Sequence, residues 1–75
     1  MLICKNKTSG KYFVYLEDTG EGKALLILPQ GEVKSLELDL FEHPKEGQGE
    51  DFLARGLISH EQNRTYYQLL DTLEL

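Results

Sequence analysis

Short β-favouring stretches alternate with turn-forming residues over the first 41 residues. Four such stretches, at residues 2–7, 11–18, 23–28 and 32–41, are separated by segments that each contain glycine. Glycine supplies the positive φ that tight turns need, so each of these segments closes the stretch before it. Strands joined by turns this short pair with their neighbours in sequence. The pattern therefore predicts a four-stranded antiparallel β-meander over residues 1–41.

The last of these stretches, residues 32–41, alternates between apolar and polar side chains. Successive side chains of a strand point to opposite faces. Three leucines therefore share one face and three polar residues the other: Leu36, Leu38 and Leu40 against Ser35, Glu37 and Asp39. We predict that the leucines are buried and that the polar face lies in solvent.

The second stretch carries aromatic side chains on both of its faces. One face has Tyr12, Val14 and Leu16, and the other has Lys11, Phe13 and Tyr15. A chain of 75 residues has few elements with which to cover two faces of a sheet. Some aromatic surface is therefore expected to remain outside the core.

The composition changes after the meander. Residues 42–49 are polar and contain one proline and two glycines, so they are predicted to form an exposed loop. The next segment begins with acidic residues and ends at Arg55 and Gly56, which is typical of a short helix. Residues 50–75 as a whole are predicted to be helical.

A longer helix is predicted to follow Ser59. The Ser59 hydroxyl can accept a hydrogen bond from the Gln62 N–H while the Gln62 side chain returns one to Ser59, which is a capping box. Four apolar residues then follow at positions i, i+3, i+4 and i+7: Tyr66, Leu69, Leu70 and Leu73. The spacing predicts a helix that runs to about Leu73.

The chain is therefore predicted to be one α+β domain over residues 1–75, with a four-stranded antiparallel β-meander followed by a short and a longer C-terminal helix. An alternative pairs residues 52–59 with residues 64–70 as a β-hairpin, because Thr65, Tyr66 and Tyr67 favour strands. That alternative leads to an SH3-like small β-barrel with a terminal helix.

The net charge of −5 is unevenly distributed. Residues 1–34 contain five lysines and four acidic residues, whereas residues 35–75 contain three basic and nine acidic residues. An acidic domain repels a phosphate backbone. Duplex DNA is therefore not a predicted partner.

Cysteine content and hydropathy indicate a soluble cytoplasmic protein. Cys4 is the only cysteine, which is typical of a reducing compartment. The longest apolar run, residues 24–28, is far shorter than the roughly 20 residues that a membrane helix needs, and the N-terminus lacks the apolar region of a signal peptide. No membrane association is predicted.

No residue pattern indicates an enzyme. Cys4 is the only thiol, and the two histidines, His43 and His60, lie in the polar loop and in the first turn of the longer helix. These residues match no nucleophile–base pair and no metal-ligand spacing. The glycines do not form a phosphate-binding loop. We therefore predict no catalytic residues, no metal and no cofactor.

The composition favours a non-enzymatic protein-interaction module, such as a small accessory or regulatory subunit, whose partner is another protein or a second copy in a homodimer. The contact surface is predicted on the Phe13 and Tyr15 side of the sheet or on the Tyr66 and Tyr67 side of the last helix.

Two other classes of function remain open. One is single-stranded nucleic-acid binding, with bases stacked on Phe13 and Tyr15 and phosphates contacted by Lys5, Lys7 and Lys11. The other is a small-molecule carrier or an enzyme, either of which needs a pocket that a domain of this size rarely encloses.

The charge distribution predicts that the protein does not bind duplex DNA tightly at physiological salt. The acidic side chains of residues 37–51 oppose the lysines, and exposed charges are screened over about 8–10 Å at ~0.15 M salt. An electrophoretic shift of a duplex by sub-micromolar protein at that salt concentration would contradict this prediction.

Overall fold

Five strands form one antiparallel sheet, and two helices follow them in the chain. The structure is a computed structural model and describes residues 1–73. The strands are β1 (Leu2–Lys5), β2 (Tyr12–Gly20), β3 (Lys23–Ile27), β4 (Val33–Glu37) and β5 (Lys45–Glu46), and the helices are α1 (Gly49–Ala54) and α2 (His60–Leu73). The order across the sheet is β4-β3-β2-β1-β5. The predicted α+β fold with a meander of four strands is confirmed.

The β2–β3 hairpin contains a bulge that positions one leucine. Tyr15 lies opposite Leu26 and Glu17 lies opposite Leu25, so Leu16 has no residue opposite it on β3. A bulge bends its strand and increases the local twist. Leu16 packs against the core on the helix side of the sheet.

The helix side of the sheet holds the larger core. Its buried members come from the sheet, from α1 and from the turn before α2: Ile3, Val14, Ile27, Phe52 and Ile58. Tyr12, Leu16, Tyr66 and Leu69 pack around this cluster. The predicted separation of Tyr12, Val14 and Leu16 from Phe13 and Tyr15 is therefore seen in the structure.

The opposite side of the sheet has a smaller core that is closed by one side chain from beyond β4. Phe41 is buried with Cys4 and Leu26, and its ring meets that of Phe13 edge to face at a centroid distance of 5.0 Å. Tyr15 packs at the margin of the same cluster. A single chain segment, rather than a second layer, therefore covers this side.

The prediction that Leu36, Leu38 and Leu40 are buried on one long strand is wrong. Strand β4 ends at Glu37, and residues Leu38–Leu40 form a 3-10 turn in which the Phe41 N–H donates to the Leu38 carbonyl. Leu36 and Leu38 are half-buried, and Leu40 is 45% exposed. The turn takes the chain out of the ladder and brings Phe41 over the small core, against which only Leu36 of the three leucines packs.

The predicted loop at residues 42–49 contains a short strand that the sequence analysis did not predict. Lys45 and Glu46 pair with Ile3 and Leu2 of β1 as strand β5. Gly49, predicted as part of an exposed loop, is buried against α2, and a Cβ at that position would lie only 2.8 Å from the Asn63 side-chain oxygen. Two-residue pairing has almost no periodic signal, which is why the pattern does not show it.

The SH3-like barrel alternative is wrong. Residues 52–59 contain part of α1 and the turn after it, and residues 64–70 are helical. The sheet remains open, with β4 and β5 at its edges. Residues 74 and 75 and the side chain of Leu73 lie outside the described part of the chain, and so does the end of the helical segment predicted for residues 50–75.

The predicted capping box begins α2, and its glutamine also reaches the sheet. The Gln62 N–H donates to the Ser59 hydroxyl at 3.0 Å, and the Ser59 N–H donates to the Gln62 side-chain oxygen at 2.8 Å. The Gln62 side chain is buried, and its Nε2 donates to the carbonyls of Tyr12 at 2.9 Å and of Ile27 at 3.0 Å. One residue thus caps the helix and fastens it to β2 and β3.

The loss of the Gln62 amide should destabilise the protein more than the loss of the Ser59 hydroxyl. We expect Ser59→Ala to lower the free energy of unfolding by about 1–2 kcal/mol, because it removes the cap and the bond that the hydroxyl donates to the Pro29 carbonyl. Gln62→Leu should lower it by about 2–4 kcal/mol, because a buried carbonyl acceptor without a donor costs about 1–3 kcal/mol in addition to the lost bond from the Ser59 N–H. Urea titration followed by circular dichroism measures both changes.

Gln68→Leu provides the matched control, since Gln68 is exposed on the same helix and should change stability by less than about 0.5 kcal/mol. Equal stability of the Gln62→Leu and Gln68→Leu proteins would show that the amide does not fasten the helix.

Candidate functional site

An apolar groove lies between the second half of α2 and the sheet. Its cavity has a volume of about 530 Å³. The sheet contributes Leu16, Leu25 and Val33 to its walls, and the helix contributes Tyr66, Leu69 and Leu70. The three helix residues fall on one face because they are spaced three and four positions apart. The predicted apolar stripe of α2 therefore covers the core and also lines this groove.

The groove exists because α2 is held against the sheet mainly at its beginning. Around Gln62, the neighbouring residues Val14 and Ile27 are fully buried. Further along the helix, Leu69 and Leu70 are only half-buried, and so are the sheet residues Leu16 and Leu25. The bulge at Leu16 bends β2 in this region. Apolar side chains of both layers therefore remain partly open to solvent.

The charges around the groove are acidic. Glu17 and Glu46 line it and are exposed, and the described lining residues include no lysine or arginine. Tyr15 also lines the groove, and desolvation, followed by the nearby charge of Asp18, raises the pKa of its phenol. Tyr15 is therefore neutral at physiological pH, and the charged side chains of the described lining are those of the two glutamates.

The structure divides the residues of both predicted contact surfaces, Phe13 with Tyr15 and Tyr66 with Tyr67. Tyr15 and Tyr66 both line the groove. Phe13 packs on Phe41 on the other side of the sheet. Tyr67 is 44% exposed, and its ring meets that of Tyr66 edge to face at 5.5 Å. The structure thus brings two of the four to the groove.

The three lysines of the nucleic-acid alternative are also divided. Lys5 lies opposite Tyr12 on β1, so it shares the helix side of the sheet with Tyr12. Phe13 and Tyr15 pack against the small core on the other side, and Tyr15 also reaches the margin of the groove. Lys7 and Lys11 are exposed. Lys5 therefore does not flank the two rings on which bases were expected to stack.

Sequence reasoning missed Leu16, Leu25 and Val33 as site residues. One signal for Val33 was present, because Val33 is in phase with Ser35 and Glu37 and is thus an apolar residue on the polar face of its strand. No local pattern marks Leu16 and Leu25. Their partial exposure results from the bulge and from the position of α2.

Cys4, the only thiol, lies in the small core. The side chain is 1% exposed and forms no disulfide. Burial raises the pKa of the Cys4 thiol, because an apolar surrounding disfavours the charged thiolate. The arrangement therefore suits packing and does not favour nucleophilic chemistry.

Residues 1–73 contain neither a membrane-spanning helix nor a metal-binding cluster of side chains. No helix in this part of the chain is long and apolar enough to cross a membrane. No three His, Cys, Asp or Glu side chains among these residues come together in a way that could hold a metal ion. Both histidines are exposed.

Comparison with protein-family models, with curated proteins and with solved structures finds no match to this chain. The groove itself, through its shape and charge, is thus the feature that points to a function.

The environment of Cys4 predicts slow reaction with thiol reagents. A raised thiol pKa leaves less thiolate at pH 8, and burial blocks access, so Ellman's reagent should react at least about tenfold more slowly with the folded than with the urea-unfolded protein. A Cys4→Ser/Ser9→Cys protein is the matched control, since Ser9 is exposed and its replacement should react rapidly in the folded state. Rapid stoichiometric labelling of folded wild-type protein would contradict the prediction.

Proposed function

We propose that this domain is a non-enzymatic protein-interaction module, a small accessory or regulatory subunit, and that its groove receives an apolar segment of a partner protein. The observation that carries the proposal is the groove of about 530 Å³ whose walls come from apolar side chains of the sheet and of α2. Apolar concavities with acidic or polar margins are typical of binding sites for other chains.

The energetics of such a groove suit a reversible complex. Burial of one Val or Leu side chain contributes about 1.5–3 kcal/mol. A few such anchors, offset by the cost of association, give affinities in the micromolar range, where about −8 kcal/mol corresponds to 1 μM. The groove alone is therefore sufficient for a transient complex between an accessory subunit and its partner.

The same proposal places the protein in the cytoplasm. Its support is the single unpaired cysteine, which lies in the small core without a disulfide. A reducing compartment keeps such a thiol free.

The nucleic-acid alternative receives less support from the geometry. The Phe13 ring already packs against Phe41, and Lys5 lies on the other side of the sheet from Phe13. Base stacking needs an exposed ring face, and phosphate contacts need cations beside it. At Phe13 the ring packs edge to face with Phe41, and of the three lysines the alternation of β2 puts only Lys11 in phase with it.

Selection of peptides from a displayed library, followed by fluorescence anisotropy, tests the proposal. We expect selected peptides to bind with micromolar affinity and to lose at least about tenfold in affinity on Val33→Asn or Leu70→Gln, because both changes place a polar amide in the groove. Leu40→Asn is the matched control, since Leu40 is 45% exposed and Val33 is 40% exposed, but Leu40 does not line the groove.

Two results would overturn the proposal. One is the absence of any selected peptide that distinguishes wild-type protein from the two groove variants. The other is tight binding of a single-stranded oligonucleotide that is lost in a Lys7→Glu/Lys11→Glu protein, which would establish the nucleic-acid alternative. Sedimentation of the wild type and of Val33→Asn determines whether the partner is a second copy of the chain.

A further inference from the structure

Strand β4 is an edge strand, and alternate residues of it direct their backbone N–H and C=O groups toward β3 and toward the open edge. The Leu28 N–H donates to the Glu32 carbonyl before the strand, and the Leu38 N–H donates to the Gly22 carbonyl after it. In an antiparallel ladder, hydrogen-bonded pairs alternate with pairs that are not bonded. The even-numbered residues of β4 therefore bond to β3.

The odd-numbered residues of β4 consequently present their backbone to the open edge. The N–H and C=O groups of Val33, Ser35 and Glu37 point away from β3, and within residues 1–73 no strand lies beyond β4 in the sheet. Such a row of unpaired groups is a template for an added strand.

Val33 joins this free edge to the groove. It lies opposite Ile27, which belongs to the core on the helix side, so the side chains of Val33, Ser35 and Glu37 point to that side. Val33 lines the groove and is 40% exposed. A strand added about 4.8 Å beyond β4 would place alternate side chains beside Val33 and Glu37 on the same side of the sheet.

Charge indicates the chemistry of that strand. Glu37 is exposed on the helix side of β4, and Glu17 and Glu46 line the groove. Lys34 belongs to the other side of the strand and forms an ion pair with Glu32 at 3.8 Å. Lys23 lies opposite Glu37 on β3 and forms no ion pair with it. A basic side chain that an incoming segment places opposite Glu37 would therefore meet an acidic partner, which favours encounter and selects against acidic segments.

We infer that the partner segment is a β-strand that pairs with the free edge of β4, with an apolar side chain opposite Val33 that enters the groove and a lysine or arginine four residues away opposite Glu37. This inference rests on the proposed function and specifies the partner that the groove accepts. The spacing of four is the same for a parallel and an antiparallel strand, because positions 33 and 37 lie on one face.

A second copy of the chain is a poor occupant of this edge. Antiparallel pairing of two β4 strands about Ser35 would place Val33 opposite Glu37, which are poorly matched cross-strand neighbours. Each chain also carries a net charge of −5, so two copies repel each other. The charge favours a partner that differs from this chain and is basic.

A synthetic peptide with a central leucine and a lysine four residues to either side, on a threonine background, is a probe that works in either strand direction. Its affinity for wild-type protein is measured by fluorescence anisotropy. Ser35→Pro removes an outward N–H and no bond to β3, so it should weaken binding about tenfold while the fold is retained. Methylation of alternate peptide N–H groups should weaken binding to the wild-type protein by a similar factor.

A reciprocal charge exchange tests the position of the basic residue. Glu37→Lys should weaken binding of the lysine peptide about tenfold and should strengthen binding of the matched peptide with glutamate in place of lysine. Ser9→Lys adds the same side chain at an exposed turn away from β4 and should change neither affinity. The differences should decrease at high salt.

The outcomes separate this inference from the proposed function. Library peptides that need the groove but are insensitive to Ser35→Pro and to Glu37→Lys would overturn the strand pairing while the interaction function stands. Self-association that requires Val33 would also overturn it, since the occupant would then be a second copy. If no peptide needs the groove, both proposals are wrong.

Discussion

The amide of Gln62 closes the end of the sheet at which β2 and β3 separate. An extension of the Val14–Ile27 register by two residues brings Pro29 opposite Tyr12, and proline has no N–H to donate. The Gln62 side chain supplies that donor to the Tyr12 carbonyl, and the Ser59 hydroxyl donates to the Pro29 carbonyl. An unpaired buried carbonyl costs free energy, so the start of α2 must lie where Gln62 and Ser59 can donate to both carbonyls. The larger core and the groove both follow from that position.

The two sides of the sheet are covered in different ways, and this difference determines which aromatic surface remains. On the helix side, Phe52 and Ile58 come from segments whose backbone groups are largely satisfied by local structure. On the other side, Phe41 alone reaches across. Its own N–H donates to the Leu38 carbonyl of the 3-10 turn, and the Glu42 N–H donates to the Lys5 carbonyl at the end of β1. Phe13 is therefore used inside the molecule, whereas Tyr66 and Tyr15 border the groove.

Local signals predicted the parts of this fold that depend on neighbouring residues. The capping box at Ser59 and Gln62 and the two faces of β2 are short-range patterns, and they recur in the structure. The 3-10 turn after Glu37 could not be predicted, because Leu38 and Leu40 continue the alternation of β4 and only the long-range contact of Phe41 favours leaving it. The groove depends on the bulge at Leu16 and on a hydrogen bond that spans 50 residues, and neither has a local signature.

An exposed strand edge beside an apolar groove is an aggregation hazard unless something restricts what pairs with it. On β4, Lys34 and Glu37 alternate in charge on opposite sides of the strand, and the whole chain is acidic. Two identical edges therefore approach each other against net repulsion, while the backbone groups of Ser35 remain free to bond. The charge that opposes the pairing of two copies is thus the same charge that favours the basic strand we propose. The edge therefore selects its partner in two ways, by repelling acidic chains and by holding an apolar side chain in the groove.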